Sequence, residues 1–159
     1  MNRLVLLFSH LAALLLGVAL GIYFLPIWTA EAPPPATQLS ELAQQAQYQG
    51  EFSRERQDSD ALHWGEGVLS IRDGVVGFQG QLAPGPAYRL YLSPNFIETE
   101  SAFLAQREQM VAVGEIRSFE GFMLTLPDGV DPAAYTTAVI WCEAFDQFIS
   151  SASYQSGPG

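Results

Sequence analysis

The stretch Trp64-Gly65-Glu66-Gly67-Val68-Leu69-Ser70-Ile71-Arg72-Asp73-Gly74-Val75-Val76-Gly77-Phe78-Gln79-Gly80-Gln81-Leu82 decides the fold. Two runs of strand-forming residues, Trp64 to Ile71 and Val75 to Leu82, flank Arg72-Asp73-Gly74. Asp-Gly between such runs is a strong short-range hairpin signal, because both central residues of the favoured turn take positive φ. Outward from this hairpin the same grammar continues. In Tyr88-Arg89-Leu90-Tyr91-Leu92-Ser93 the even positions are apolar, which predicts a half-buried strand. Phe122, Leu124 and Leu126 alternate in the same way. Gly85-Pro86, Ser93-Pro94-Asn95, Glu120-Gly121 and Pro127-Asp128-Gly129 punctuate the runs as turns. Short strands at spacings of about 10–15 residues predict an all-β domain, an antiparallel sandwich or a barrel. One short helix interrupts it near Thr99 to Arg107, with Thr99 as the cap and Phe103, Leu104 and Arg107 at helical spacing.

The run Tyr135-Thr136-Thr137-Ala138-Val139-Ile140-Trp141-Cys142 is β-branched and aromatic, and from Ala138 onward it is apolar at both parities. A strand of that kind is covered on both faces. Period two puts Cys142 with Ile140 and Ala138 on one face, and Trp141 with Val139 and Thr137 on the other. Cys142 is the chain's one cysteine, so an intramolecular disulfide and a Cys-rich zinc site are both excluded.

The first thirty residues have a different character. Leu4 to Phe24 reads LVLLFSHLAALLLGVALGIYF, interrupted by Ser9 and His10 alone, and as a helix it spans roughly 30 Å, the thickness of a bilayer core. It is longer than the apolar region of a cleaved signal peptide, and the Ala-x-Ala at Ala30-Glu31-Ala32 is followed by Pro33, which disfavours cleavage. Residues 1–28 are therefore expected to be a retained signal-anchor transmembrane helix. Arg3 precedes the span and acidic residues follow it, which predicts a cytoplasmic amino terminus and a periplasmic or extracellular carboxy-terminal domain. Tyr23, Phe24 and Trp28 suit the outer headgroup level. His10, with no ionisable partner at membrane depth, is read as a neutral side chain near the inner leaflet.

Ala32-Pro33-Pro34-Pro35-Ala36 is a stiff spacer. Thr37 is placed to cap a helix running through Tyr48, with Leu39, Leu42, Ala43 and Ala46 on one stripe and Gly50 as its stop. The expected organisation is thus an anchor over 1–28, a spacer with a short helix over 29–49, a β domain over 50–154 and a flexible tail over 155–159.

The chain of 159 residues has 7 Arg, no Lys and 17 Asp plus Glu, a formal charge of −10. It lacks the basic residues that displace counterions from phosphates, so no nucleic-acid partner is expected. The acidic residues read as a solvated surface. Asn95, Glu98 and Glu100 lack the spacing of a calcium loop, no Gly-x-Ser-x-Gly elbow supports a serine triad, and Asp58, Asp60 and His63 read as a polar loop, so no metal site is expected.

The tail Tyr135-x-x-x-Val139-Ile140-Trp141-Cys142-x-x-Phe145-x-x-Phe148-x-x-x-Ala152 resembles the carboxy-terminal signature of the DM13 domain family. Further landmarks follow in family order: Gly50-x-Phe52, His63-x-Gly65-x-Gly67, Gly85-Pro86-x-Tyr88-x-x-Tyr91-Leu92-Ser93, Val113-Gly114-x-Ile116 and Leu126-Pro127. Ile149 departs from the pattern, since glycine often follows that phenylalanine. The resemblance implies a β-rich extracytoplasmic module for electron transfer or oxidative modification of surface proteins. It also implies a cysteine, here Cys142, acting as a naked thiol or as a ligand to a prosthetic group such as haem.

From the residues themselves, thiol chemistry at Cys142 needs a thiolate, which apolar burial and the acidic surroundings of Glu143 disfavour. Counting by twos from Leu69 and Ile71 puts His63 on the inner side, which makes His63 a candidate partner of Cys142. A c-type haem motif is absent, and a non-covalent haem would draw its ligands from Cys142, His63, Met110 or Met123. Two functions remain open: a redox module acting through Cys142 toward an extracytoplasmic protein partner, or a non-catalytic binding or adhesion module with Cys142 as core.

Overall fold

The computed structural model describes residues 2–155; most of the expected tail over 155–159 lies outside them. A long helix, α1 (Arg3–Thr29), precedes a shorter one, α2 (Ala36–Gln44), and then eight strands. These are β1 (Tyr48–Phe52), β2 (Gly65–Arg72), β3 (Val75–Leu82), β4 (Tyr88–Ser93), β5 (Val111–Ile116), β6 (Gly121–Thr125), β7 (Thr137–Cys142) and β8 (Gln147–Ser153). A third helix, α3 (Glu100–Gln106), lies between β4 and β5. All strand pairs are antiparallel and form two four-stranded sheets, ordered β1-β2-β3-β6 and β5-β4-β7-β8. Of the two expected all-β architectures, the molecule adopts the sandwich.

The deciding hairpin forms as read, with one refinement. Arg72 pairs with Val75, so the turn is the two residues Asp73 and Gly74, at φ 49° and 76°. Positive φ at both is the geometry that matches the right-handed twist of the flanking strands.

Between the sheets lies the main core, built from Leu69, Ile71, Val76 and Phe78 of the first sheet and Leu90, Leu92, Ile140 and Ile149 of the second. A second cluster of Tyr91, Ile97, Phe103, Val139, Trp141 and Phe148 fills the space between the other face of the second sheet and α3. Every residue of β7 is buried because both faces are covered, one by the opposing sheet and one by α3. Phe103 of α3 stacks on Trp141 with ring centroids 3.9 Å apart and planes 7° from parallel. Thr99 caps α3 as expected, its hydroxyl accepting from the Ala102 amide at 3.1 Å.

The helix expected from Thr37 through Tyr48 is shorter. It spans Ala36–Gln44 without a side-chain cap, and Tyr48 opens β1. Gly50 is not a helix stop. It pairs with Leu69 inside β1, and a Cβ there would lie 2.6 Å from the Ser153 carbonyl oxygen. The glycine lets the edge of one sheet approach the edge of the other, a contact that helical periodicity does not reveal. Ile149, the departure from the family pattern, is no turn residue either. Trp141 pairs with Phe148 and Ile140 with Ser150, which leaves Ile149 as the extra residue of a bulge, buried in the main core.

Candidate functional site

Three connections meet at one pole of the sandwich: Leu62 to Trp64 before β2, Pro84 to Ala87 between β3 and β4, and Glu143 to Asp146 between β7 and β8. Together they bring Cys142 and His63, 79 positions apart in sequence, to the wall of one cavity of about 340 Å³. Leu62, Pro84, Pro86, Tyr88 and Phe145 line the remainder on the domain side, and Ala19, Ile22 and Tyr23 of α1 close the other.

Cys142 ends β7 on the parity of Ile140 and Ala138, as period two requires, and is 2% exposed. Its thiol donates to the Pro86 carbonyl oxygen at 3.2 Å. Burial pushes the thiol pKa up; amide hydrogen bonds from Phe145 and Ala144 oppose this, and the charges of Glu143 and Asp146 add to it, so the net shift is upward. Tyr88, paired with Cys142 across β4 and β7, is likewise pushed up by burial and then by the cysteine. The groups nearest the sulfur are thus held in their neutral forms.

His63 lies two residues before β2 begins, so counting by twos does not by itself orient it. The preceding turn does. Asp60 Oδ1 accepts from the Leu62 and His63 amides, both at 2.7 Å, and the same carboxylate holds His63 Nδ1 at 3.0 Å. Burial opposes the charged form of Asp60, but the imidazole and the two amides together outweigh it and hold its carboxyl below the ordinary range. With Nδ1 engaged, Nε2 is the imidazole atom left for a ligand.

The other candidates do not join this cavity. Met110 packs against the cluster under α3, and Met123 lines grooves beside the spacer and α2. Asp58 Oδ2 accepts from the Glu100 amide at 2.7 Å, the Asp58 amide donates to the Glu98 carbonyl oxygen, and Asn95 Nδ2 donates to Gln106 Oε1. The Asp58 bonds tie the loop after β1 to the start of α3, and the Asn95 bond ties the loop after β4 to its end. Among the described residues, no three His, Cys, Asp or Glu side chains form a group that could hold a metal ion.

One polar cluster was not singled out in the sequence. Glu143, next to Cys142, takes the Tyr91 hydroxyl hydrogen bond on Oε1 and the Arg107 guanidinium at 2.7 Å on Oε2. Burial works against its charge, yet the bonds from Tyr91 and Arg107 prevail and hold the carboxyl below the usual range. Parity was the available signal, since Glu143 shares the face of Trp141, and Tyr91 pairs with Val139 on that face. The charge beside Cys142 is therefore already matched by an arginine.

A β-sandwich behind an apolar helix, with a lone cysteine and a carboxylate-held histidine on one cavity, defines a small module with an apolar site at one pole. The family model described as Electron transfer DM13 matches residues 52–154, and the chain belongs to that family. Neither the curated proteins nor the solved structures contain a match to the chain.

Proposed function

We propose that the chain is a membrane-anchored, extracytoplasmic electron-transfer module whose site is the cavity shared by Cys142 and His63. The observation that carries this reading is the convergence of a soft sulfur donor and an oriented imidazole on one largely apolar wall. Membership of an electron-transfer family supports the reading. For the anchor, the support is α1, 27 residues long and apolar enough to span a membrane, with Arg3 at its start.

The form of the chemistry follows from the thiol. A buried sulfhydryl with its pKa pushed up and its proton on a carbonyl is a poor nucleophile at neutral pH, which argues against a naked-thiol mechanism. A ligand role would answer this, because a bound metal ion would itself supply the positive charge that stabilises the thiolate. Thiolate sulfur and imidazole nitrogen are donors that haem iron accepts, and Asp60 on Nδ1 reproduces the outer carboxylate that orients a ligating histidine. The donor set fits, within a cavity at the small end of the roughly 300–1,000 Å³ of small-molecule sites. A bound haem would supply a one-electron couple. On the protein's side, Cys142 would hold it through its sulfur and His63 through Nε2, with Nδ1 kept on Asp60.

The test is a reduced-minus-oxidised absorption spectrum of full-length protein extracted from membranes after growth with added haem. A Soret band that shifts in Cys142→Ser and in His63→Ala is expected. A wild-type protein with no visible absorption sinks the proposal. That outcome favours a second reading, which the near-complete burial of Cys142 supports: a non-catalytic module that binds an extracytoplasmic protein and uses Cys142 as a core residue.

A further inference from the structure

The pole that carries the cavity also carries the domain's approach to α1. α1 runs for about 40 Å at 1.5 Å per residue, against a hydrocarbon core of roughly 30 Å. With its apolar run starting at Leu4, the core is used up near Phe24. Tyr23 meets Phe24 edge-on at 5.2 Å, and Phe24 stacks on Trp28 at 5.9 Å, an aromatic cluster of the kind that settles at the headgroup level. Ala19, Ile22 and Tyr23, the residues just inside that level, line the same cavity as Leu62, Pro84, Pro86 and Phe145 of the domain. The domain residues therefore stand at the depth of the outer interface. Leu62 is 66% exposed and Phe145 51% exposed, two large apolar side chains at the tips of neighbouring loops. Scattered single apolar residues need no explanation, but two at one pole beside a bilayer-spanning helix have an available solvent.

We infer that this pole is seated in the lipid surface, with Leu62 and Phe145 immersed in the outer interface and the cavity mouth covered by lipid. This rests on α1 being a span. The partner is the bilayer itself, and its recognition is apolar. The chain has no lysine and a net charge of −10, so it offers no polybasic patch to anionic headgroups. Asp60 and Asp146, exposed on the same loops, limit the immersion to the headgroup boundary, because hydrated carboxylates are costly to move into hydrocarbon.

The experiment uses full-length protein in vesicles of zwitterionic phosphatidylcholine. Single cysteines replace Leu62, Phe145 or Asp73 in a Cys142→Ser background and carry an environment-sensitive fluorophore. Asp73 sits at the far end of the β2–β3 hairpin, roughly 23 Å from the pole by strand rise. Because Cys142 is buried, the same three labels can also be placed in the wild-type chain, so the test survives a background that fails to fold. Probes at 62 and 145 are expected to be quenched several-fold more than the probe at 73 by lipids nitroxide-labelled near the headgroup, and several-fold less by aqueous iodide. Because this bilayer has no anionic lipid, the difference reads apolar seating alone. Equal quenching at all three positions, in protein that an alkaline carbonate wash leaves in vesicles, overturns the seating while the anchor stands. Protein released by that wash overturns the anchor and the seating together.

Discussion

Cys142 shows how one residue can satisfy two descriptions at once. It belongs to the main core, and it lies on the wall of a cavity. Its burial predicts that a water-soluble thiol reagent labels the native protein far more slowly than a free thiol, with full labelling appearing only as the domain unfolds in denaturant. Labelling at a free-thiol rate in the native state contradicts this. Glu143 carries a second prediction at the same scale. Its folded pKa is lowered, so the stability it contributes is complete above its unfolded value near 4.5 and is lost as pH falls through the folded value. Glu143→Gln should therefore flatten the fall in unfolding free energy below pH 4.5. It should also cost about 1–2 kcal/mol at pH 7, read from urea titrations, because Arg107 and Tyr91 lose a charged acceptor. A variant whose acid limb is unchanged places the acid sensitivity elsewhere. The sequence made Glu143 legible as an acidic neighbour of the thiol. It did not show the arginine that answers it, since Arg107 is the residue that caps the end of α3, in a different part of the chain.

At the scale of elements, α3 and β7 depend on each other. α3 has seven residues, too few to persist alone, and is held by its Thr99 cap and by Phe103 lying flat on Trp141. Thr99→Ala should cost about 1 kcal/mol. Phe103→Ala should cost about 3–5 kcal/mol and expose Trp141, with a red-shifted tryptophan emission in the folded state. A Phe103→Ala protein of wild-type stability would show that α3 is not what covers this face. The elements themselves were readable from the chain: the Asp73-Gly74 hairpin, the capped helix and the strand apolar at both parities all appear where local chemistry puts them. Element ends were less so. α2 stops at Gln44 because the chain after it is recruited into β1 by pairing with β2, from Tyr48 against Ile71 to Phe52 against Gly67. Tertiary pairing there overrides a helical stripe of modest strength.

For the whole molecule, the closing of the two sheets on each other is the decisive event, and Gly50 is its most exposed point of failure. Gly50→Ala puts a methyl group against the Ser153 carbonyl oxygen and should cost about 1–3 kcal/mol, lowering the thermal midpoint without changing the far-ultraviolet spectrum. An unchanged midpoint would mean that the edges have slack. The ion pair between Glu31 and Arg117 sits where the chain leaves α1, with both side chains 63% exposed. Arg117→Ala should leave the thermal midpoint close to that of the wild type, a contrast with Gly50 that a melt will show.

The sequence by itself determined the apolar helix, the hairpin, the all-β class, the family and the face of Cys142. Each rests on local rules: residue type, period two, turn chemistry, and a signature spaced along the chain. Only the tertiary structure decided that the strands form a sandwich rather than a barrel, that Gly50 serves an edge-to-edge contact, that Arg107 meets Glu143, and that His63 and Cys142 share a cavity bordered by α1. Those relations join segments tens of residues apart, and no local pattern encodes them. They exist once burial of the inner faces has fixed how the two sheets lie against each other, and with them which loops meet at each pole.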